Sequence, residues 1–256
     1  MKPLDRLTVF AHETWTKPVG RAGAYLLIAA SVIALGGFIV THTFLAHVPL
    51  LGSLANDFYA NLSTELLSIA ITVLIIDTLV ERRQNADKKA ELIRDLGSKT
   101  NDFAQRAARE LRARGWHRDG SLRGAWLEEA NLTSAILSGA DLTDAVLVGT
   151  NLTDVDLEGA NLMDVRMWRA NLTDARLADA NLTNVDLRKA NLKNTKLMNV
   201  DLSDAKLMNV NLSGAILVKT DLMNAFLEGA NLTNAILVEV NFTSACYNND
   251  TKWPEG

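Results

Sequence analysis

The groups in this chain that could do chemistry are few and scattered. There are four histidines, His12, His42, His47 and His117, and one cysteine, Cys246. No CxxC or Cys/His spacing suggests a structural zinc site, and a lone cysteine excludes an internal disulfide framework. No phosphate-binding loop or G-x-G-x-x-G fingerprint is present. Cys246 reads most simply as a small apolar residue, and Asp154 and Asp156 read as solvated surface carboxylates. The sequence therefore predicts no catalytic residue, no metal ligand and no cofactor. The two carboxylates with the strongest claim to a role are Glu65 and Asp77, because both interrupt an apolar run.

That run is one of two. Residues 22–41 hold twenty positions without a charge, enough at ~1.5 Å per residue to cross a hydrocarbon core of ~30 Å. Residues 62–80 are nearly as apolar. The first run is too long for a signal-peptide core, no A-x-A-like site follows promptly, and a second run sits close behind it. The two predict a membrane hairpin, with spans at 22–44 and 61–80 and a short external loop at 45–60. Lys2, Arg6, Lys17 and Arg21 precede the first span, and Arg82, Arg83, Lys88 and Lys89 follow the second. Residues 42–60 carry no lysine or arginine. The positive-inside rule then places segment 1–21, the C-terminus and everything after the second span in the cytoplasm of a bacterial inner-type membrane.

Asn61, Ser63 and Thr64 look like the start of the second helix, where Glu65 would favour the positive end of its dipole. Asp77 lies one to two turns from Arg82 and Arg83, within reach of pairing at the inner interface. For both residues the alternative is a polar contact with a partner helix or a small pore. Ala30 with Ala34, and Ser68 with Thr72, show small-xxx-small spacing, a weak packing signal.

Residues 81–115 predict a helical linker. Ile93, Leu96, Thr100, Phe103, Ala107 and Leu111 recur at three and four residues, the spacing of one helix face. The run is too short for a sustained coiled coil, and Gly97 weakens its middle. An amphipathic linker lying on the membrane or on the next domain is expected.

From Gly120 to Asn249 the chain divides into 26 five-residue units with no insertion. The third residue of each is Leu except at Met167, Phe242 and Tyr247, and the first is Ala, Val, Thr or Gly. Five residues advance an α-helix by ~500°, and five steps along a strand reverse its face, so neither element gathers these leucines on one side. The chain must turn a corner in every unit and stack in coils ~4.8 Å apart.

The A-[N/D]-L-x-x pattern resembles the pentapeptide-repeat family. That resemblance implies a right-handed quadrilateral β-helix of about six and a half coils over 116–249, with 250–256 as a C-terminal cap like the tails that close such helices. The fold class expected is thus a β-solenoid preceded by an α-helical two-span hairpin and linker. Trp116 and Trp126 are candidates to cover the other end.

Every second unit has Asn or Asp at its second position, from Asn131 to Asn241. An alternation of ten residues stays on fixed faces only if the coil has an even number of sides. Two opposite faces should then be uniform ladders and two variable. One variable face presents Ile136, Ile216, Val218, Ile236 and Val238. The other presents Val146, Val148, Trp168 and Met208. Such exposed apolar residues mark interfaces or simply suit β structure.

The resemblance also raises DNA mimicry, known in family members that bind DNA gyrase, and self-association through C-terminal coils. Residues 120–249 carry 16 acidic and 10 basic residues. Arg166, Arg169, Arg176, Arg188, Lys189, Lys193 and Lys196 break any acidic face, so mimicry is a remote alternative. Direct nucleic-acid binding is not expected. The leading expectation is a non-catalytic, membrane-anchored scaffold whose partners are the bilayer, an unknown protein and a second copy of itself. The alternative is an accessory subunit in which the spans act.

Overall fold

A computed structural model describes residues 18–40 and 49–255. Lys2, Arg6, Lys17 and residues 41–48 lie outside the described residues. The chain divides into two compact units, Met1–Ala86 and Asp87–Gly256.

Among the described residues, two helices make up the first unit. α1 spans Pro18–Ile39, and α2 spans Pro49–Leu96, whose last residues belong to the second unit. Each begins on a proline, whose missing N–H is no loss at the first helical position. Residues 49–60, expected as loop, are instead the first turns of α2. Glu65 therefore lies well inside a helix and not at its start. Pro49 was the signal for the true start. By length and composition one described helix, from Ser53, can cross a membrane, and the described apolar part of α1, Tyr25–Ile39, is shorter.

The buried positions of this unit are small. Ala30 and Ala70 are buried, and Gly37 packs directly on Tyr59. Ala34, Ser68 and Thr72 are exposed, so the expected small-xxx-small pairs do not form the contact. The outward surface is apolar, including Val32, Leu35 and Phe38 on α1 and Phe58, Ile75 and Leu79 on α2.

The second unit is a solenoid. Backbone bridges join residues twenty apart, as in Asn131↔Asn151↔Asn171, so four five-residue units complete one coil. Every fifth residue from Gly124 to Ser244 has positive φ and turns a corner. That explains the Gly, Asn and Asp at most corners. The leucine carbonyl usually accepts the N–H three residues on, as in Ala130 N–H to Leu127 O at 3.2 Å. On one side three units lack this closing bond and lie extended as β1 (Lys196–Met198), β2 (Ile216–Val218) and β3 (Ile236–Val238), a parallel three-stranded sheet. Leucines from Leu122 to Leu232 are buried in a single column, beside the small first residues. Thr150 and Thr220 fit among them because their hydroxyls donate to Leu127 O (2.8 Å) and Leu197 O (2.5 Å).

The predicted uniform faces are hydrogen-bonded ladders. Asn131 Oδ1 accepts from the Thr133 hydroxyl at 2.7 Å, and Asn171 Nδ2 donates to Thr153 of the coil below at 2.9 Å. The Asn211 amide likewise donates to Asn191 at 2.9 Å. Outward polar groups thus satisfy one another between coils.

The linker is broken at Gly97, between α2 and α3 (Asn101–Ala113). It is the N-terminal cap of the solenoid. Leu92, Leu96, Ala104, Ala107, Ala108 and Leu111 join the leucine core. Phe103, expected on the packed face, is exposed, and Ala104 and Ala108 pack instead. Trp116 does pack on this end, but Trp126 is 67% exposed and lies on a side face of the coil, so it does not cover the end. Lys89 pairs with Asp119 at 2.6 Å and lies 5.1 Å from the Trp116 ring, which Arg114 also approaches at 4.8 Å.

At the C-terminal end the register slips by one residue. Asn231 bridges Lys252, because the turn at Asn248–Asp250 holds one residue more than the repeat requires. Thr251 then takes the first position of a unit and donates to Leu227 O at 3.0 Å. Trp253 closes edge-to-face on Phe242 and Tyr247, with ring centroids 5.5 and 5.4 Å apart.

Candidate partner-binding faces

The first variable face is read coil by coil as Ile136, Asp156, Arg176, Lys196, Ile216 and Ile236. Ile216 stacks on Ile236 and Val218 on Val238, in register. The structure brings these four together and adds Met198, which pairs with Val218 and is exposed. Ile136 does not join them. Arg176 bonds Glu158 at 3.1 Å and lies 3.8 Å from Asp156, so a charged band separates it from the apolar sheet. Met198 escaped the sequence reading because lysine precedes it in the same unit. Its spacing of twenty residues from Val218 was the available signal.

Three features distinguish this sheet. It is the only extended three-stranded patch among the described residues. Its outermost strand, β3, is the most exposed, with Ile236 at 53% and Val238 at 44%. Leu237 beneath them is only partly buried, unlike the leucines of earlier coils.

The opposite face carries Trp168 and Met208, one coil either side of Arg188. Arg188 grips Asp186 with two bonds, 2.8 and 2.6 Å. Burial pushes the Asp186 carboxyl up, but the side-chain and backbone bonds from Arg188 prevail and hold it below its ordinary value. Val146, expected outside, is buried between its bridge partners Trp126 and Arg166. A surface hollow of about 440 Å³ lies between Glu128, Glu129, Val148, Gly149, Trp168 and Arg169. Arg169 covers the Trp168 ring at 5.5 Å, and Glu129 pairs with Lys99 at 2.5 Å. Charged groups thus divide this face, and Trp168 and Met208 form no common patch.

Glu65 is exposed on α2 and Asp77 half-exposed. Asp77 makes no ion pair with Arg82 or Arg83. Cys246 is an exposed free thiol. Among the described residues no group of three His, Cys, Asp or Glu side chains could hold a metal ion.

The coil geometry defines a four-sided parallel β-solenoid. Residues 125–169, 169–204 and 205–243 match the family model for pentapeptide repeats, eight copies in all. The chain is a pentapeptide-repeat protein over this region, and its coil is the family's right-handed β-helix. It is similar to HetL, a pentapeptide repeat protein of the cyanobacterium Nostoc involved in heterocyst differentiation regulation. Identity there is 32% over 48% of this chain, with a TM-score of 0.26, and the match spans 65% of HetL. A second Nostoc pentapeptide repeat protein is 30% identical over 45% of this chain and 75% of its own, with a TM-score of 0.15. One from the Arabidopsis thylakoid lumen is 28% identical over 40% and 68%, with a TM-score of 0.27. Comparison with curated proteins gives no match.

Proposed function

We propose that this protein is a membrane-anchored interaction scaffold. Its two helices hold it in a bacterial inner-type membrane, and its solenoid presents the β1–β3 face to a protein partner in the cytoplasm. The observation that carries the reading is the Ile216/Ile236 and Val218/Val238 pair of ladders. Ile236 and Val238 are exposed and Ile216 and Val218 half-buried, all four pointing outward on a flat, hydrogen-bonded support, and a packed solenoid core does not require them outside. The anchoring rests on the outward apolar surfaces of α1 and α2, which water would penalise and lipid would not. DNA mimicry fits poorly, since Arg166, Arg169, Arg188 and Lys189 stand on one side of the rod.

The test is photocrosslinking from positions 216 and 236 of the full chain in native membranes, read by mass spectrometry. One dominant foreign protein, lost in Ile236→Glu, supports recruitment. Self-crosslinks alone would make the face an oligomer contact, and no crosslink would remove it as an interface.

The second reading, an accessory subunit whose spans act, is favoured by one observation: Glu65 is exposed on the apolar helix with no partner among the described residues.

A further inference from the structure

The Gly37–Tyr59 contact sets the level of Glu65. Gly37 is near the end of α1 and Tyr59 near the start of α2, and residues 40–48 connect the helices. Ala70, eleven residues beyond Tyr59 on α2, is fully buried, and an α1 that ends at Ile39 reaches that level only by running back alongside α2, so the two helices are antiparallel. Glu65 lies six residues beyond Tyr59, ~9 Å along α2. Six residues back from Gly37 is Ser31, the middle of the uncharged run 22–41. If these helices span a bilayer, as proposed above, Glu65 stands at its midplane, where an ionisable group is costly unless partnered.

The direction of this side chain is equally specific. At ~100° per residue, Asp57, Asn61, Thr64, Glu65, Ser68 and Thr72 fall within an arc of about 100° on α2. All six are exposed. Tyr59 and buried Ala70 occupy the other side, where α1 packs. Thr64 and Thr72 spend their hydroxyl protons on Ala60 O (2.8 Å) and Ser68 O (2.9 Å) within the helix. Asn61 and Glu65 have no partner among the described residues. An amide donor and a carboxyl acceptor thus stand one turn apart on a lipid-facing stripe, with small hydroxyl residues beside them that permit close approach.

We infer that this stripe is the contact between two copies of the chain, α2 against α2. Copies inserted by the same rule run parallel about an axis normal to the membrane. The stripe of one therefore faces the same stripe of the other, level by level. Asn61 of each copy donates to Glu65 of the second, one turn away, which satisfies both groups. α1 cannot cover the stripe, because it already holds the opposite side of α2.

The inference rests on the membrane reading, and the experiment separates the two. Full-length chain carrying Cys246→Ser receives Ser68→Cys, Thr72→Cys or, off the stripe, Ile69→Cys. Membranes are first washed with alkaline carbonate, then oxidised. The expected result is chain retained in the membrane, disulfide dimers from 68 and 72, and none from 69. Adding Glu65→Leu to Ser68→Cys should abolish the dimer, while Glu65→Gln should keep it. Retention with no dimers, with equal dimers at all three positions, or with crosslinks to a foreign protein overturns the contact and leaves the anchor standing. Extraction by carbonate overturns the anchor and the contact with it.

Discussion

The backbone N–H of Asn131 donates to Ser98 O at 2.9 Å. Asn131 opens a ladder that later coils continue every twenty residues, and Ser98 belongs to the break between α2 and α3. The helical segment therefore supplies the hydrogen bonds that a preceding coil would have supplied. Asp141 N–H repeats the arrangement on His117 O at 2.9 Å, and Gln105 Nε2 reaches Thr133 O at 2.9 Å. A solenoid end left bare would expose both a polar edge and a leucine column. Here α3 closes the second and its flanks close the first.

Leu111→Ala should consequently act as a lesion of the solenoid. Leu111 is fully buried in the shared core. Its truncation is expected to cost about 2–5 kcal/mol. Because each coil contacts only its neighbours, hydrogen exchange should accelerate first around Leu127–Leu147 and last around Leu207–Leu227. Uniform acceleration along the rod would contradict a nearest-neighbour cap.

His117 adds a pH dependence to the same cap. Burial, reinforced by Arg118 and Arg112, holds its pKa below the ordinary 6.5, against a bond to the Leu111 backbone that raises it. Its Nδ1 is buried with no hydrogen-bond partner among the described residues. With the folded pKa below the unfolded one, the unfolded chain takes the proton first. Stability is full above about pH 6.5 and falls as the pH drops from there towards the folded pKa. Denaturant midpoints measured between about pH 5 and 7 should slope in the wild type. The slope should flatten in His117→Gln; an unchanged slope would assign it to other groups.

The solenoid was legible because its period is unusual. Five fits neither helix nor strand, and the alternation of Asn131, Asp141 and Asn151 fixed an even number of sides. The cap was not legible in the same way. Ala104, Ala107 and Ala108 are good helix formers anywhere, and only the leucine column they touch distinguishes them from a surface helix. The variable faces were legible as positions but not as patches. Whether Ile136 joins Ile216 depends on Asp156 and Arg176 meeting between them, a matter of stacking between coils and not of spacing. The start of α2 is obscured in the sequence because Asn61, Ser63 and Thr64 imitate a helix cap, whereas Pro49 begins the helix.

Corner pairs offer a test of the stacking itself. Asn199 Nδ2 donates to Asp179 Oδ1 at 3.0 Å, one coil below. Asn184 over Asp164 (2.6 Å) and Asn224 over Asp204 (3.2 Å) repeat the pairing. Asn199→Asp keeps a residue tolerant of the left-handed corner but stacks two carboxylates ~4.8 Å apart. The expected cost is about 0.5 kcal/mol at low salt, recovered in 1 M salt because exposed charges are screened. Thermal unfolding at the two ionic strengths reads it. A salt-independent loss would point to the lost amide bond instead of repulsion.

The contact between α1 and α2 is tested at Gly37. A Cβ there would overlap the Cβ and Cγ of Tyr59, and Tyr59 cannot move its Cβ without moving its helix. Gly37→Ala raises intrinsic helix propensity by about 1 kcal/mol. An isolated α1 would therefore gain stability from it. If the packing of Gly37 on Tyr59 holds the pair together, the same change should separate the helices and lower the thermal midpoint of the full chain in detergent. The compensating change is Tyr59→Gly, which moves the vacant space from one helix to the other. It should recover most of the loss despite its own cost in α2. A midpoint raised by Gly37→Ala alone would show that propensity prevails and that the two helices do not meet at this level.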